Sequence, residues 1–199
     1  MLDNQKSRAF AARFVNPIAK GLLRIGLTAN GVTIFGAITS SVIALLTIAN
    51  GRFLTALLFL IPLVAADLLD GTMARLSNSV SKTGAFLDSV MDRVTDFSLL
   101  IAFILWAINN GENHTVQLGL AAIAISGIIP YVRAKAESMN IACNVGILER
   151  GERILILGFA TIASAFGYTS TIRYALAAIV ILGGITVVQR IVHVLKSVD

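Results

Sequence analysis

Long hydrophobic runs separated by short polar segments dominate the chain after residue 27. A helix needs roughly 20 residues to cross a bilayer, and runs of this length and composition predict transmembrane helices. The runs extend from about residue 31 to 49, 53 to 75, 84 to 108, 116 to 131, 154 to 166 and 174 to 188. The pattern therefore predicts an all-α integral membrane protein with six transmembrane helices.

The first 27 residues follow a different pattern. Apolar side chains recur there at helical spacing, and four basic residues interrupt them: Arg8, Arg13, Lys20 and Arg24. This arrangement predicts an amphipathic helix that lies on an anionic membrane surface, packs on the body of the protein, or does both. The predicted organisation is a juxtamembrane helix over 1–27 and one transmembrane domain over 28–199.

Composition and charge agree with a membrane protein and add an orientation. Of 199 residues, 56% are hydrophobic and 14% charged, and the mean hydropathy of +0.83 excludes a water-soluble domain. If the N-terminus is cytoplasmic, all 16 lysines and arginines except Arg52 and Arg173 fall on the cytoplasmic side. The net charge of +5 therefore reflects topology, with no nucleic-acid partner expected. We expect a multi-pass plasma-membrane protein.

Four aspartates stand at helical spacing within this apolar setting. Asp67 and Asp70 end the second run, whereas Asp88 and Asp92 begin the third. Residues three or four apart share a helix face, so two antiparallel neighbouring helices would bring the carboxylates together near the cytoplasmic surface. Carboxylate clusters suit hard cations, and bridging carboxylates can hold two ions for phosphoryl transfer. The spacing predicts a site for two Mg²⁺ ions, with Mn²⁺ as an alternative.

The spacing of these residues also resembles a family signature. The pattern Asp-x2-Asp-Gly-x2-Ala-Arg-x8-Gly-x3-Asp-x3-Asp is matched without a gap from Asp67 to Asp92. It is similar to the signature of the CDP-alcohol phosphotransferases, membrane enzymes of phospholipid synthesis. The resemblance implies a homodimer that uses CDP-diacylglycerol. It also implies metal binding by Asp67, Asp70 and Asp88, with Asp92 as the general base that also touches a metal.

The same resemblance implies a nucleotide site. Gly71 and Ala74 would let the cytidine approach the helix, with Asp70 and Arg75 beside them. Members of the family carry Leu-Thr-Pro-Asn-x-x-Thr near the nucleotide, and this chain has the similar Leu27–Thr33 with Ala29 at the proline position. The implied ligands there are Asn30 and Thr33. Thr28 or Asn30 could instead cap the first predicted transmembrane helix.

A second group of charged residues lies at the cytoplasmic ends of the last three predicted spans. Its members are Arg133, Lys135, Arg150, Arg153 and Arg190. Each could act only as an orientation signal, but together they could bind a phosphate dianion. The local sequences resemble those of actinobacterial phosphatidylinositol phosphate synthases, a branch of the same family. That resemblance implies that Lys135, Arg153 and Arg190 bind the phosphate of inositol phosphate, with Arg133 and Arg150 nearby.

The predicted activity is transfer of a phosphatidyl group from CDP-diacylglycerol to inositol phosphate, which gives phosphatidylinositol phosphate and CMP. The nearest alternative is a phosphatidylglycerophosphate synthase, whose acceptor, glycerol 3-phosphate, also bears a phosphate. An alternative from another class is a divalent-cation transporter, because intramembrane aspartates also mark ion pathways. A transporter would need polar residues that continue to the outer face, and the four aspartates lie at one end only.

Overall fold

The computed structural model describes residues 5–77 and 81–198, and the side chains of residues 5–14, 64–68 and 70 lie outside the description. The described residues form seven α-helices and no β-strand. The helices are α1 (Gln5–Arg24), α2 (Ala29–Thr47), α3 (Phe53–Leu76), α4 (Lys82–Asn109), α5 (Asn113–Ser138), α6 (Arg150–Ala165) and α7 (Thr171–Val198). The prediction of an all-α protein is therefore confirmed.

The observed helices agree with the predicted ones to within a few residues except at two ends, because α5 includes the charged turn over 131–137 that continues the fourth apolar run. Helix α6 begins at Arg150 rather than near residue 154, because Glu149 and Glu152 form the start of a helix. The backbone N–H of Glu149 donates to Oε2 of Glu152 at 2.9 Å, which is one half of a capping box. Helix α7 continues past the predicted end at 188 to Val198. Hydropathy alone missed both ends because charged residues interrupt the apolar pattern there.

Within the part of the chain that the structure describes, three helices are long and apolar enough to span a membrane: Ala29–Thr47, Asn113–Ser138 and Thr171–Val198. A shorter apolar stretch, Phe53–Leu63, opens helix α3. Large hydrophobic side chains such as Phe35, Leu155 and Phe159 are more than two-thirds exposed, as expected where lipid replaces water. The chain is a membrane protein.

The first of two compact units contains the chain up to Val42 together with Leu58–Thr95. Its described core is formed by Ala19 of α1, Ala29 of α2 and Met73 of α3. Leu22 and Leu23 of α1 pack at the edge of this core. One face of the N-terminal helix therefore packs on α2 and α3, as one of the two readings of its pattern predicted.

The second unit contains Ile43–Leu57 and the chain from Asp96 onward. Helix α7 packs against α5 and α6. Gly183 of α7 allows a close approach to α5, because a Cβ atom there would lie 2.5 Å from Cγ2 of Ile125. Small residues at such positions let membrane helices pack backbone to backbone.

An ion pair joins the N-terminal ends of α5 and α7. The Arg173 guanidinium donates to Oε2 of Glu112, and the hydroxyl of Thr115 also donates to this oxygen at 3.3 Å. The hydrogen bond from Arg173 lowers the pKa of the exposed Glu112 carboxyl below its ordinary value. The pair holds together two helix ends that lie far apart in sequence.

Candidate active site

The acidic residues of the signature lie in the first unit. Helix α3 is continuous through Asp67, Asp70 and Gly71, so the predicted helical spacing is observed in the backbone. The side chains of Asp67 and Asp70 lie outside the described residues. On α4, Asp88 is exposed and Asp92 is partly buried. Carboxylate oxygens are ligands that suit hard divalent cations, so the donor chemistry of these four positions fits the implied metal. Their convergence stays a prediction.

Small residues and one arginine accompany these aspartates. Gly71 is exposed, whereas Ala74 packs at the edge of the core of the first unit. Arg75 is exposed and donates through Nη2 to the hydroxyl of Thr72 at 3.1 Å. This hydrogen bond directs the guanidinium along its own helix.

The N-terminal ends of α2 and α4 approach each other in the same unit. A Cβ atom on Gly84 would lie 3.2 Å from Oδ1 of Asn30, so the glycine of the signature leaves room for a predicted nucleotide ligand. Thr28 accepts a hydrogen bond from the N–H of Gly31 at 3.1 Å and so caps α2. The hydroxyl of Thr33 donates to the carbonyl of Ala29 at 3.1 Å. Thr28 therefore performs the capping role that the sequence left open between it and Asn30.

A buried ion pair organises the first turn of α6 in the second unit. Nη2 of Arg153 donates to Oδ2 of Asp96 at 2.6 Å, and Nε of Arg150 lies 3.5 Å from the other oxygen, Oδ1. Asp96 is 5% exposed and Arg153 is 3% exposed. A charge at such a position requires a partner, and the two groups supply it to each other. One carboxylate on α4 therefore engages two of the predicted phosphate-binding arginines.

Arg190 of α7 lies in a different set of contacts. Its guanidinium donates to the carbonyl oxygens of Val145 and Ile129, each at 2.8 Å. Nη2 also donates to Oε1 of Glu149 at 3.2 Å. The residue is 2% exposed. Arg190 therefore joins α7 to α5, to the loop that follows α5 and to the residue that precedes α6.

The loop from Met139 to Glu149, here called the α5–α6 loop, is held on α7 by a second side chain. The hydroxyl oxygen of Thr186 accepts hydrogen bonds from the backbone N–H groups of Ile147 at 3.2 Å and Leu148 at 2.9 Å. Gly146 allows this approach, since it has φ of +134° and a Cβ there would lie 2.6 Å from Cγ2 of Thr186. Thr186 and Arg190 together fix the backbone that leads into α6.

Lys135 and Arg133 lie near the end of α5. Lys135 is exposed, whereas Arg133 donates through Nε to Oε1 of Glu137 at 2.9 Å, one turn further along the same helix. Among the five predicted phosphate-binding residues, Lys135 is thus the most accessible. Arg150 is partly buried, and Arg153 and Arg190 are buried.

Sequence reasoning missed three residues that position this basic group: Asp96, Glu149 and Thr186. A signal for the first was present, because Asp88, Asp92 and Asp96 recur every four residues along one helix. Thr186 gave no such signal, since a lone threonine in an apolar helix commonly bonds to its own backbone. Its hydroxyl does so too, donating to the carbonyl of Leu182 at 2.9 Å.

Known proteins resemble this chain over nearly its whole length. Residues 26–195 match the CDP-alcohol phosphatidyltransferase family. The phosphatidylinositol phosphate synthase of Mycobacteroides abscessus is 34% identical over 193 residues, which cover 96% of this chain and 87% of that protein. The crystal structure of the Mycobacterium tuberculosis phosphatidylinositol phosphate synthase with CDP-DAG bound matches with a TM-score of 0.87 and 32% identity. That match covers 92% of this chain and 94% of the other.

A second crystal structure of the Mycobacterium tuberculosis enzyme, in complex with manganese and citrate, matches with a TM-score of 0.83 and 31% identity. It covers 90% of this chain and 88% of that one. The family match includes both the aspartate positions of α3 and α4 and the arginine positions of α6 and α7. With the matched signature and the all-helical fold, these similarities show that the chain belongs to the CDP-alcohol phosphatidyltransferase family.

Proposed function

We propose that this protein transfers the phosphatidyl group from CDP-diacylglycerol to inositol phosphate and releases CMP. The observation that carries the proposal is similarity, over 96% of the chain, to a phosphatidylinositol phosphate synthase. The basic residues near the ends of α5, α6 and α7 support a phosphorylated acceptor, because guanidinium groups bind phosphate oxygens strongly.

The proposed metal ligands are Asp67, Asp70, Asp88 and Asp92. A related enzyme has been crystallised with manganese, which supports a divalent metal for this family. Two Mg²⁺ ions, or Mn²⁺ in their place, would neutralise the diphosphate and stabilise the departing CMP. The number of ions is part of the proposal.

Asp92 is the proposed general base. Its carboxylate accepts the proton of the inositol hydroxyl, whose oxygen forms a bond to the β-phosphorus of CDP-diacylglycerol. The bond between that phosphorus and the oxygen bridging to CMP breaks, and CMP leaves with the electron pair. A carboxylate can serve here if it lies within hydrogen-bond reach of the hydroxyl in the bound complex.

The substrates are proposed to occupy separate groups of residues. The nucleotide of CDP-diacylglycerol lies against Asn30, Thr33, Asp70, Gly71, Ala74 and Arg75. The phosphate of the acceptor is bound by Lys135, Arg153 and Arg190, with Arg133 and Arg150 beside them. The exposed Lys135 makes the first contact with the incoming anion, because a lysine is a mobile point charge.

The proposed membrane arrangement has six spans, formed by α2 to α7, with the N-terminus and the active site in the cytoplasm. Helix α1 lies at the membrane surface as a juxtamembrane element over 1–27, and residues 28–199 form the transmembrane domain. The location is the plasma membrane, and the assembly is a homodimer. The distribution of lysine and arginine supports this orientation.

Release of CMP tests the proposed function. Purified protein in liposomes with Mg²⁺ and CDP-diacylglycerol receives inositol phosphate, free inositol or glycerol 3-phosphate separately. We expect release only with inositol phosphate. Release with glycerol 3-phosphate alone would replace the proposed acceptor, and a flux of Mg²⁺ without CMP release would favour a transporter.

A further inference from the structure

Asp96 is a buried carboxylate for which the proposed reaction has no role. It follows Asp92 by four residues on α4, so the sequence alone would extend the metal-binding stripe to it. Its contacts are with arginines of α6 instead: Oδ2 lies 2.6 Å from Nη2 of Arg153 and Oδ1 lies 3.5 Å from Nε of Arg150. Both oxygens therefore face cations of the protein.

From this geometry we infer that Asp96 is a positioning residue, which orients Arg150 and Arg153 to bind the phosphate of the acceptor. The inference rests on the proposed function. Arg150 and Arg153 are three residues apart on α6 and so lie on one helix face. A carboxylate with one oxygen toward each of them fixes the two guanidinium groups relative to each other.

This arrangement leaves the arginines able to bind a ligand. A guanidinium carries five N–H donors in a rigid fork, so Arg153 can be held by Asp96 and still offer donors to a phosphate. If the guanidinium groups are already ordered before the ligand arrives, the entropic cost of binding is lower. The conformational entropy of the two arginine side chains is thus lost when the protein folds, and not when the phosphate binds.

A simple electrostatic role for Asp96 predicts the opposite effect on the acceptor. If the carboxylate only added a negative charge near the basic group, its removal would strengthen phosphate binding and lower the KM for the acceptor. If it positions the arginines, its removal releases them and raises that KM. The sign of the change therefore distinguishes the two roles.

The test compares the wild type with Asp96→Asn and Asp96→Glu, as the full chain in liposomes with Mg²⁺. For each protein, CMP release gives the KM for inositol phosphate and the KM for CDP-diacylglycerol. We expect Asp96→Asn to raise the acceptor KM about tenfold or more, since a misplacement of about 1 Å can cost as much as a hundredfold. The KM for CDP-diacylglycerol should change less than about twofold, within the range of an indirect effect.

Asp96→Glu retains the charge but places the carboxylate one methylene further out. We expect an intermediate rise of the acceptor KM, about threefold or more, with the stability of the wild type largely retained. Asp96→Asn leaves buried cations without their partner, which can prevent folding. In that case Asp96→Glu alone decides the question. An acceptor KM that is unchanged or lower in the variants that fold overturns the inference, as does an equal rise of both KM values.

Glu112→Gln is the matched control, since it also replaces a carboxylate that pairs with an arginine of the second unit. It lies outside the proposed binding residues and should leave both KM values unchanged. If the wild type uses glycerol 3-phosphate instead of inositol phosphate, the proposed function fails. The acceptor KM of each variant is then measured with glycerol 3-phosphate. A rise there would still support Asp96 as a positioning residue. A wild type that uses neither acceptor overturns both proposals.

Discussion

Replacing Thr186 with valine would measure how strongly α7 holds the α5–α6 loop. Valine has nearly the shape of threonine but offers no oxygen, so the backbone N–H groups of Ile147 and Leu148 lose their acceptor. Thr186 is 0% exposed and Leu148 is buried, so water does not replace the hydroxyl at Leu148. The substitution also removes the bond that the hydroxyl donates to the carbonyl of Leu182, and it changes the packing volume little.

The expected loss follows from the two bonds. An unsatisfied buried donor costs about 1–3 kcal/mol, which applies to Leu148. The N–H of Ile147 makes a longer hydrogen bond of 3.2 Å and belongs to an exposed residue. Loss of this hydrogen bond therefore costs about 0.5–1.5 kcal/mol. The α5–α6 loop should become less stable by about 1.5–4.5 kcal/mol in total.

Cys143 provides the assay, because it lies in this loop, is 0% exposed and is the single cysteine of the chain. A maleimide labels its thiol only when the loop opens. If reclosing is faster than labelling, the rate follows the opening equilibrium, in which 1.4 kcal/mol is about a factor of ten. Thr186→Val should therefore accelerate labelling by about tenfold to more than about a thousandfold under native conditions.

Two controls separate this effect from a general loosening of the fold. Thr186→Ser retains the hydroxyl and should label within about threefold of the wild type. Thr161→Val removes a buried hydroxyl of α6 that donates to the carbonyl of Leu157 at 2.8 Å, and it leaves no N–H without an acceptor. Wild-type labelling of Thr186→Val, or equal acceleration by Thr161→Val, would refute the reasoning.

Three further predictions concern single residues. Asp92→Asn should abolish CMP release while CDP-diacylglycerol still binds in an equilibrium binding assay; near-normal turnover would remove Asp92 as the base. Gly146→Ala should lower the unfolding temperature by the equivalent of about 1–3 kcal/mol, because its φ of +134° strains alanine and its Cβ would meet Thr186; an unchanged melting curve would contradict this. The folded-state pKa of Glu112 is lowered, so its pairing with Arg173 stabilises the protein above the ordinary glutamate pKa of about 4.3 and is lost as pH falls through the lowered value. The unfolding temperature of the wild type should therefore exceed that of Glu112→Gln at pH 7 and converge with it in acid; a difference that persists in acid would argue against the ion pair.

The sequence predicts the helical class and most helix ends because hydrophobic runs report directly on helices in lipid. It predicts the aspartate positions because their spacing is local, within α3 and α4. The ends of α6 and α7 were predicted wrongly, since charged residues there resemble loop sequence. At α6 the charges of Glu149 and Glu152 belong to the first helical turn instead.

The partners of the arginines could not be predicted from spacing. Arg190 meets carbonyl groups of residues 45 and 61 positions away, and any backbone carbonyl is chemically equivalent in the sequence. Asp96 lies 57 positions from Arg153, so its pairing depends on how α4 and α6 pack. The sequence therefore indicates which residues are basic, and tertiary packing determines which of them are held in place.

The contacts that fasten the α5–α6 loop to α7 reach its main chain as well as the side chain of Glu149. Thr186 bonds to backbone N–H groups, Arg190 bonds to the carbonyl of Val145, and His193 bonds to the carbonyl of Ala142 at 2.9 Å. Every residue type offers a carbonyl, and every one except proline offers an N–H. Side chains at exposed positions of this loop, such as Ala142 and Asn144, can therefore be exchanged without detaching it, provided that Gly146 and the buried Cys143 and Leu148 are retained. New side chains can thus be introduced at these positions while α7 still holds the loop.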